Sequence, residues 1–252
     1  ILIIRSSVLP GTNQKIKEIL KNKNSNIIYG PERIVQSKSL IELPKLPQIL
    51  ACEKDNVFES SKKLFLKISK KIIRTSILEA ELIKLYSNAN RYINFAIANQ
   101  LYTICHLNNL DFKRVRNIMQ DGYARNLNLA NAGFTAGPCL VKDTMQLKYF
   151  TKNSFSLGSA AMKVNKNIPN LIIDKLKMFK NYKSKKIGLL GLSFKGETDD
   201  IRDSLSMVLL KKLRKLNSKV LQSDEYYKAK NGISKNELIK RSDIIIIGAP
   251  HR

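Results

Sequence analysis

The chain has no tryptophan, two histidines, three cysteines and no apolar run of eighteen residues. Without such a run there is no helix to cross a bilayer. Cys52, Cys105 and Cys139 are odd in number, unevenly spaced and form no CxxC pair. With His106 and His251 as the sole imidazoles, they argue against both a zinc site and a disulfide framework. Free thiols fit a reducing cytoplasm. Acidic residues are also short: 20 against 45 basic ones, a net charge of +25. That excess raises nucleic-acid binding as a possibility. Against it, lysine is spread through every segment in a chain rich in Lys, Asn and Ile, which is a compositional bias and not a patch. A positive surface also attracts phosphorylated small molecules. The start, "ILIIRSSVLPGT", is no signal peptide, since its apolar run is four residues long and no basic segment precedes it. Strand-like runs at both ends read as cuts through folded structure, so the chain is expected to be a fragment of a longer protein.

What is present is enough for one large domain or two to three smaller ones: 252 residues, 43% of them apolar. "ILII", "NIIYGPE" and "LPQILACE" read as strands; "TNQKIKEILKN", with Thr12 as N-cap, and "NVFESSKKLFLKISKKI" read as helices. This alternation predicts a parallel α/β sheet. Residues 75–110 contain neither Gly nor Pro and repeat Ile77, Leu82, Leu85, Ile93, Ile97, Leu101 and Ile104 at helical spacing. One helix of roughly 50 Å follows, of the kind that joins domains or forms an interface. A shorter helix at "DFKRVRNIMQ" precedes a loop carrying Cys139, and residues 155–180 return to helix with a bend expected at Pro169. At "KSKKIGLLGLSFKGETDDIRDS" an α/β pattern restarts: a strand at 187–190, Ser204 capping "LSMVLLKKLRKL", then strands at "SKVLQSD" and "DIIIIGAP". The predicted class is α/β, two Rossmann-like units, both incomplete, joined by a helical middle with one long helix. The boundaries are 1–73, 74–182 and 183–252.

Three places could carry chemistry. Glu81, Lys84, Asn88 and Arg91 form one polar stripe on the long helix. The stripe is either a solvated face or, through Lys84 and Asn88, a pair of donors to an oxyanion. Spacing leaves both open. Cys139 sits in "GFTAGPCLVKD", a Gly/Pro-rich bend that leaves a thiol approachable, with Lys142 and Asp143 following. "GLLGLSFKGETDD" is Gly-rich after a strand without matching G-x-G-x-x-G; Lys195 and Arg202 bracket it and could hold a phosphate, or be solvated charges on a strand-to-helix loop.

Five segments in order resemble the UDP-glucose/GDP-mannose dehydrogenase family of NAD-dependent nucleotide-sugar dehydrogenases. "RSSVLPGT" is similar to S-T-V-P-P-G-T, "YGPERI" to N/S-P-E-F/R, and "AELIKLYSNANR" to A-E-x-x-K-L-x-x-N. "GFTAGPCLVKD" is similar to G-x-G-G-x-C-x-x-K-D and "GLSFKGETDDIRDS" to G-x-x-F-K-x-x-T-D-D-x-R-x-S. The resemblance implies an NAD-binding Rossmann domain, a central dimer-forming helical domain and a UDP-sugar-binding α/β domain. The implied homodimer forms through residues 75–110, in the cytoplasm, with no membrane or nucleic-acid partner. The implied reaction oxidises a UDP-sugar's primary alcohol twice, through a thiohemiacetal and a thioester on a cysteine. By motif match Cys139 is the nucleophile, and Lys84 and Asn88 bind the oxyanion and substrate. Asp143 and Ser7, which replaces the family's Thr, flank the attacking water. Glu32 assists as base; Ser7, Glu32 and Arg202 contact NAD; Lys195 and Arg125 contact substrate, Arg125 across the dimer.

The chain departs from the family at Ala136-Gly137-Pro138, where the family has Gly-Gly before the cysteine, and at Gln36, where it has Glu. Arg33 after "PE" is similar to the N-acetylmannosamine branch and "CLVKD" to the glucose branch, so the sugar stays open. A 3-hydroxyacid or 6-phosphogluconate-type dehydrogenase is the competing enzyme class, and a basic nucleic-acid-binding module the non-enzyme one. Lacking G-x-G-x-x-G, the 252 residues are expected to be inactive alone.

Overall fold

The computed structural model describes residues 1–20, 26–35, 39–135, 137–216 and 219–251. Gln36 and Ala136 lie outside the described residues. Two compact units form: residues 1–89 with 143–155, and residues 90–142 with 156–252.

In the first unit β1 (Leu2–Ile4), β2 (Ile27–Tyr29), β3 (Gln48–Ala51) and β4 (Ile72–Thr75) make one sheet in the order β1-β2-β3-β4. β1 runs parallel to β2 and β3 parallel to β4, but β2 meets β3 antiparallel at Tyr29↔Ala51. The sheet is therefore mixed, which corrects the parallel expectation. Strand β4, at "IIRT", is not among the strands the sequence predicts; it lies at the junction between the helix expected to end at Ile72 and the long helix expected from residue 75. Helices α1 (Thr12–Leu20), α2 (Ser39–Glu42) and α3 (Asp55–Phe65) connect the strands. Side chains alternate faces along each strand. Ile28 and Leu50 pack against Val57, Phe58 and Phe65 of α3. Tyr29, Ile49 and Ala51 turn the other way onto Ala80. Each such buried aliphatic side chain contributes about 2 kcal/mol.

Ala80 lies on α4 (Ile77–Leu107), the long helix expected over 75–110. Its start is a reciprocal capping box. The Ser76 amide donates to Glu79 Oε2 at 2.8 Å, and the Glu79 amide donates to Ser76 Oγ at 3.3 Å. The hydroxyl of Thr75, then the amide and hydroxyl of Ser76, bring the Glu79 carboxyl down to about 2.

α4 and α6 (Pro138–Phe150) give residues to both units. The second unit adds α5 (Phe112–Gln120), a 3-10 turn at Ala124–Asn126 and α7 (Ser156–Lys177), which runs through Pro169 as one helix. Strands β5 (Ile187–Leu190), β6 (Val220–Ser223) and β7 (Ile244–Ile247) form a wholly parallel sheet in the order β6-β5-β7. α8 (Leu205–Leu216) and α9 (Lys235–Arg241) are its crossovers. Ile187, Leu189 and Leu192 pack against Leu209, Leu210 and Leu213 of α8 and Leu176 of α7. Ser204 caps α8 as expected: its Oγ accepts from the Ser206 and Met207 amides at 3.2 and 3.4 Å.

Candidate active site

The loops leaving β1 and β2 run side by side at the carboxyl ends of two parallel strands, where open α/β sheets take their ligands. The Gly30 amide donates to the Ile4 carbonyl at 2.9 Å and the Glu32 amide to the Arg5 carbonyl at 3.0 Å. Half-buried Ser7 stands on one loop and Glu32 on the other. Glu32 is engaged at both oxygens. Oε2 pairs with Arg5, and Oε1 accepts from the Arg33 and Ile34 amides at 2.8 and 3.1 Å.

The polar stripe of α4 is not one solvated face. Glu81 is 1% exposed and holds the start of α1. Its carboxylate accepts from the Gly11 amide at 2.7 Å, and from the Asn13 amide and side chain at 3.1 and 2.6 Å. This serves the orphan donors of a helix N-terminus. Thr12, expected as that helix's N-cap, is its first residue and donates its hydroxyl to the Leu9 carbonyl instead. Asn88 is also buried, Lys84 is half-buried and Arg91 is exposed. Asn88 Nδ2 donates to Asp143 Oδ2 at 2.6 Å, beside the packing of Leu147 on Leu85 and Ala89. Asp143 has no exposed surface. Tyr29 completes the cluster by donating to the Ser6 carbonyl at 3.3 Å. Burial, then the charges of Glu81 and Asp143, push its hydroxyl well above the usual tyrosine range. Asn88 and Asp143, 55 residues apart in sequence, are thus brought into contact.

In the second unit Cys139 lies in the first turn of α6, behind Pro138, and not in a loop. Pro needs no intrahelical acceptor at that position, so "GPC" starts a helix. Cys139 is exposed, while Cys52 and Cys105 are buried. Asp143 follows it by one turn of the same helix. Gly137 has φ +97°, and a Cβ there would come within 2.5 Å of the Phe194 ring. That contact lays the segment before Cys139 against the loop joining β5 to α8, which carries the two predicted cations. Lys195 stands 5.7 Å over the Phe194 ring. Arg202 makes a bidentate pair with Asp200 at 3.0 and 2.7 Å. The Asp200 bond first, with Cys139 among the further charges, raises the Arg202 guanidinium. Arg125 is exposed on the 3-10 turn and stacks on Tyr123 at 5.5 Å.

Sequence reasoning missed the residues that hold this frame. Asn99 and Asn165, both fully buried, bond to each other at 2.8 Å, and Asn99 Oδ1 accepts from the Gly133 amide at 2.8 Å. They anchor the loop leading to Cys139. Asp224, at the end of β6, accepts from the Leu192 and Ser193 amides at 2.6 and 3.1 Å. An acid just past a strand is the one local signal for it. Phe95, Tyr102, Phe112, Phe134, Ile172 and Pro250 line a cavity of about 450 Å³ in this unit, a volume that suits a nucleoside-sized ligand.

The chain matches the central-domain model of the UDP-glucose/GDP-mannose dehydrogenase family over residues 78–167 and its UDP-binding-domain model over residues 188–252. Together these spans cover more than half of the chain. It is 25% identical, over its whole length, to 63% of the UDP-N-acetyl-D-mannosamine dehydrogenase of Pyrococcus horikoshii. It is 26% identical to the UDP-glucose 6-dehydrogenase of Rickettsia bellii, with 84% of this chain and 52% of that one covered. The solved structure of the Pyrococcus horikoshii UDP-D-ManNAc dehydrogenase superposes with a TM-score of 0.88 at 26% identity, covering 99% of this chain and 62% of that one. The chain spans about three fifths of the length of the curated relatives that match all of it. With five motifs in order, two domain models and this superposition in agreement, the chain belongs to the UDP-glucose/GDP-mannose dehydrogenase family.

Proposed function

We propose that the chain carries the cysteine and the substrate-handling residues of an NAD-dependent nucleotide-sugar 6-dehydrogenase. The observation that carries this reading is an exposed Cys139 at the start of α6, one turn before the buried Asp143 that Asn88 holds. Cys139 Sγ adds to the aldehyde carbon of the half-oxidised sugar, and the resulting oxyanion is stabilised by Lys84 and Asn88. After the second oxidation Asp143 and Ser7 orient the water that splits the thioester, which releases the uronic acid and the thiol. Glu32 serves as base once a ligand displaces Arg5. Ser7, Glu32 and Arg202 would hold NAD, the position of the first two at the carboxyl ends of β1 and β2 fitting such a ligand. NAD held by these residues would supply the hydride acceptor for both oxidations. Lys195 and Arg125 contact the UDP-sugar.

The three-part division at 73/74 and 182/183 is proposed as the functional one, with a homodimer through α4 and a cytoplasmic location. No helix among the described residues is long and apolar enough to cross a membrane. NAD turnover by these 252 residues alone is not expected, because they contain no G-x-G-x-x-G turn.

A test that needs no turnover is protection of Cys139. UDP-N-acetylmannosamine or UDP-glucose is expected to slow alkylation of Cys139 by iodoacetamide, with labelling read by mass spectrometry. Unchanged labelling together with no heat of UDP-sugar binding would refute the reading.

A further inference from the structure

We infer that His251 is a positioning residue: as the neutral Nε2–H tautomer it ties together the two arms of the loop between β5 and α8 that carries Lys195 and Arg202. Its consequence for ligand binding rests on the reading of that loop as a substrate-contacting segment.

The tautomer follows from the partners. The Glu197 amide donates to His251 Nδ1 at 3.1 Å, and a backbone N–H can only donate, so Nδ1 carries no hydrogen. Nε2 lies 3.1 Å from Asp224 Oδ2, which only accepts when ionised, so Nε2 carries it. Ser193 Oγ is 3.3 Å from the same nitrogen and donates its own hydrogen to the Lys195 carbonyl at 2.8 Å, leaving a lone pair toward Nε2–H. Burial alone would raise the Asp224 carboxyl. The amides of Leu192, Tyr227 and Tyr226, with the His251 side chain, outweigh burial and bring it below the usual carboxylate range. The imidazole is shut in, 4% exposed, with the Tyr226 ring packed against it at 4.8 Å and tilted by 32°, and the Tyr226 hydroxyl donating to Glu197 Oε2 at 2.9 Å.

The topology gives this tautomer its work. Asp224, after β6, holds the near arm of the loop at Leu192 and Ser193. His251, after β7, holds the far arm at Glu197. A Cβ on Gly196 would come within 2.4 Å of the Pro250 carbonyl, so the residues before His251 lie flat against that arm. Between the held points stand Phe194, whose ring meets Gly137, and Lys195. The Phe194 amide donates to the Asp200 carbonyl at 2.9 Å, and Asp200 grips Arg202. One imidazole with each nitrogen committed therefore sets the spacing of Lys195 and Arg202. The other tautomer, or a protonated ring, would point an N–H at the Glu197 N–H.

The chain's two histidines make the test simple. In histidine-labelled ¹⁵N protein, long-range ¹H–¹⁵N correlation is expected to show His251 as a single Nε2–H neutral tautomer, assigned by the signal missing from His251→Asn. An Nδ1–H pattern overturns the inference. Amide exchange at Glu197 and Phe194 is expected to speed up about tenfold or more in His251→Ala. In His251→Asn, whose Oδ1 replaces Nδ1 as acceptor, it should stay within about threefold. The β5–β6 ladder serves as the control for intact folding. Equal exchange at Glu197 in all three proteins overturns it as well. Where wild type binds UDP, His251→Ala should weaken binding about tenfold, and unchanged affinity refutes the positioning role. Wild type that binds no UDP defeats the substrate reading alone, because the tautomer and exchange measurements still decide the inference.

Discussion

Asn88 and Asp143 show how much a single contact carries. A carboxyl group with no exposed surface is costly to bury unless hydrogen-bond partners meet it, and the Asn88 amide supplies one at 2.6 Å. Asn88→Ala is expected to destabilise the first unit by about 1–3 kcal/mol, read as a lower urea midpoint at unchanged slope. A midpoint equal to wild type would mean that water replaces the amide without loss. Gly137 is the second residue whose identity is forced. Gly137→Ala meets Phe194 at 2.5 Å with φ +97°, and should cost about 1–3 kcal/mol. Part of that cost is steric, so Phe194→Ala should cost less in the Gly137→Ala background than in wild type, and a double-mutant cycle measures the difference. Strict additivity would show that the backbone strain is the whole effect.

At the scale of elements, most of the order is imposed at helix and strand ends. Glu81 of α4 closes the start of α1, and Asp224 closes the turn after β5 from the end of β6. The Asp224 link has a pH signature. Its folded-state pKa is depressed below the ordinary aspartate value, so the native state binds fewer protons than the unfolded chain there. The stabilisation is complete above the unfolded aspartate range and is lost as pH falls through it toward the lower folded value. Urea midpoints at pH 7, 5 and 3 should therefore fall more steeply in wild type than in Asp224→Asn. Parallel profiles for the two proteins would refute the assignment.

At the scale of the whole molecule, α4 leaves Ile83, Tyr86, Ile97 and Ile104 exposed along its length. Apolar side chains repeated along one helix fit an interface better than a solvated surface. Ile97→Glu combined with Ile104→Glu is expected to convert a dimer into monomers in sedimentation velocity with circular dichroism unchanged. Monomeric wild type at tens of micromolar would contradict the dimer proposed through this helix.

The sequence by itself determined the α/β class, the long helix near 75–110, Ser204 as the cap of α8, and the five motifs that identify the family. These are local signals: period 3.6 or 2, a capping residue, a run of matched positions. Tertiary structure decided the rest. The direction of β3 against β2 was not readable, because an apolar strand looks the same whichever way its neighbour runs. Spacing put Glu81, Lys84, Asn88 and Arg91 on one helix face. It could not say that Glu81 reaches a helix start 70 residues away or that Asn88 meets an aspartate 55 residues away. Ser193, Asp224 and His251 carry no shared motif, and their bonds span 27 and 58 residues. Periodicity assigns a face to each element, but only packing chooses the partner that covers it. That choice separated the buried carboxylates from the solvated ones.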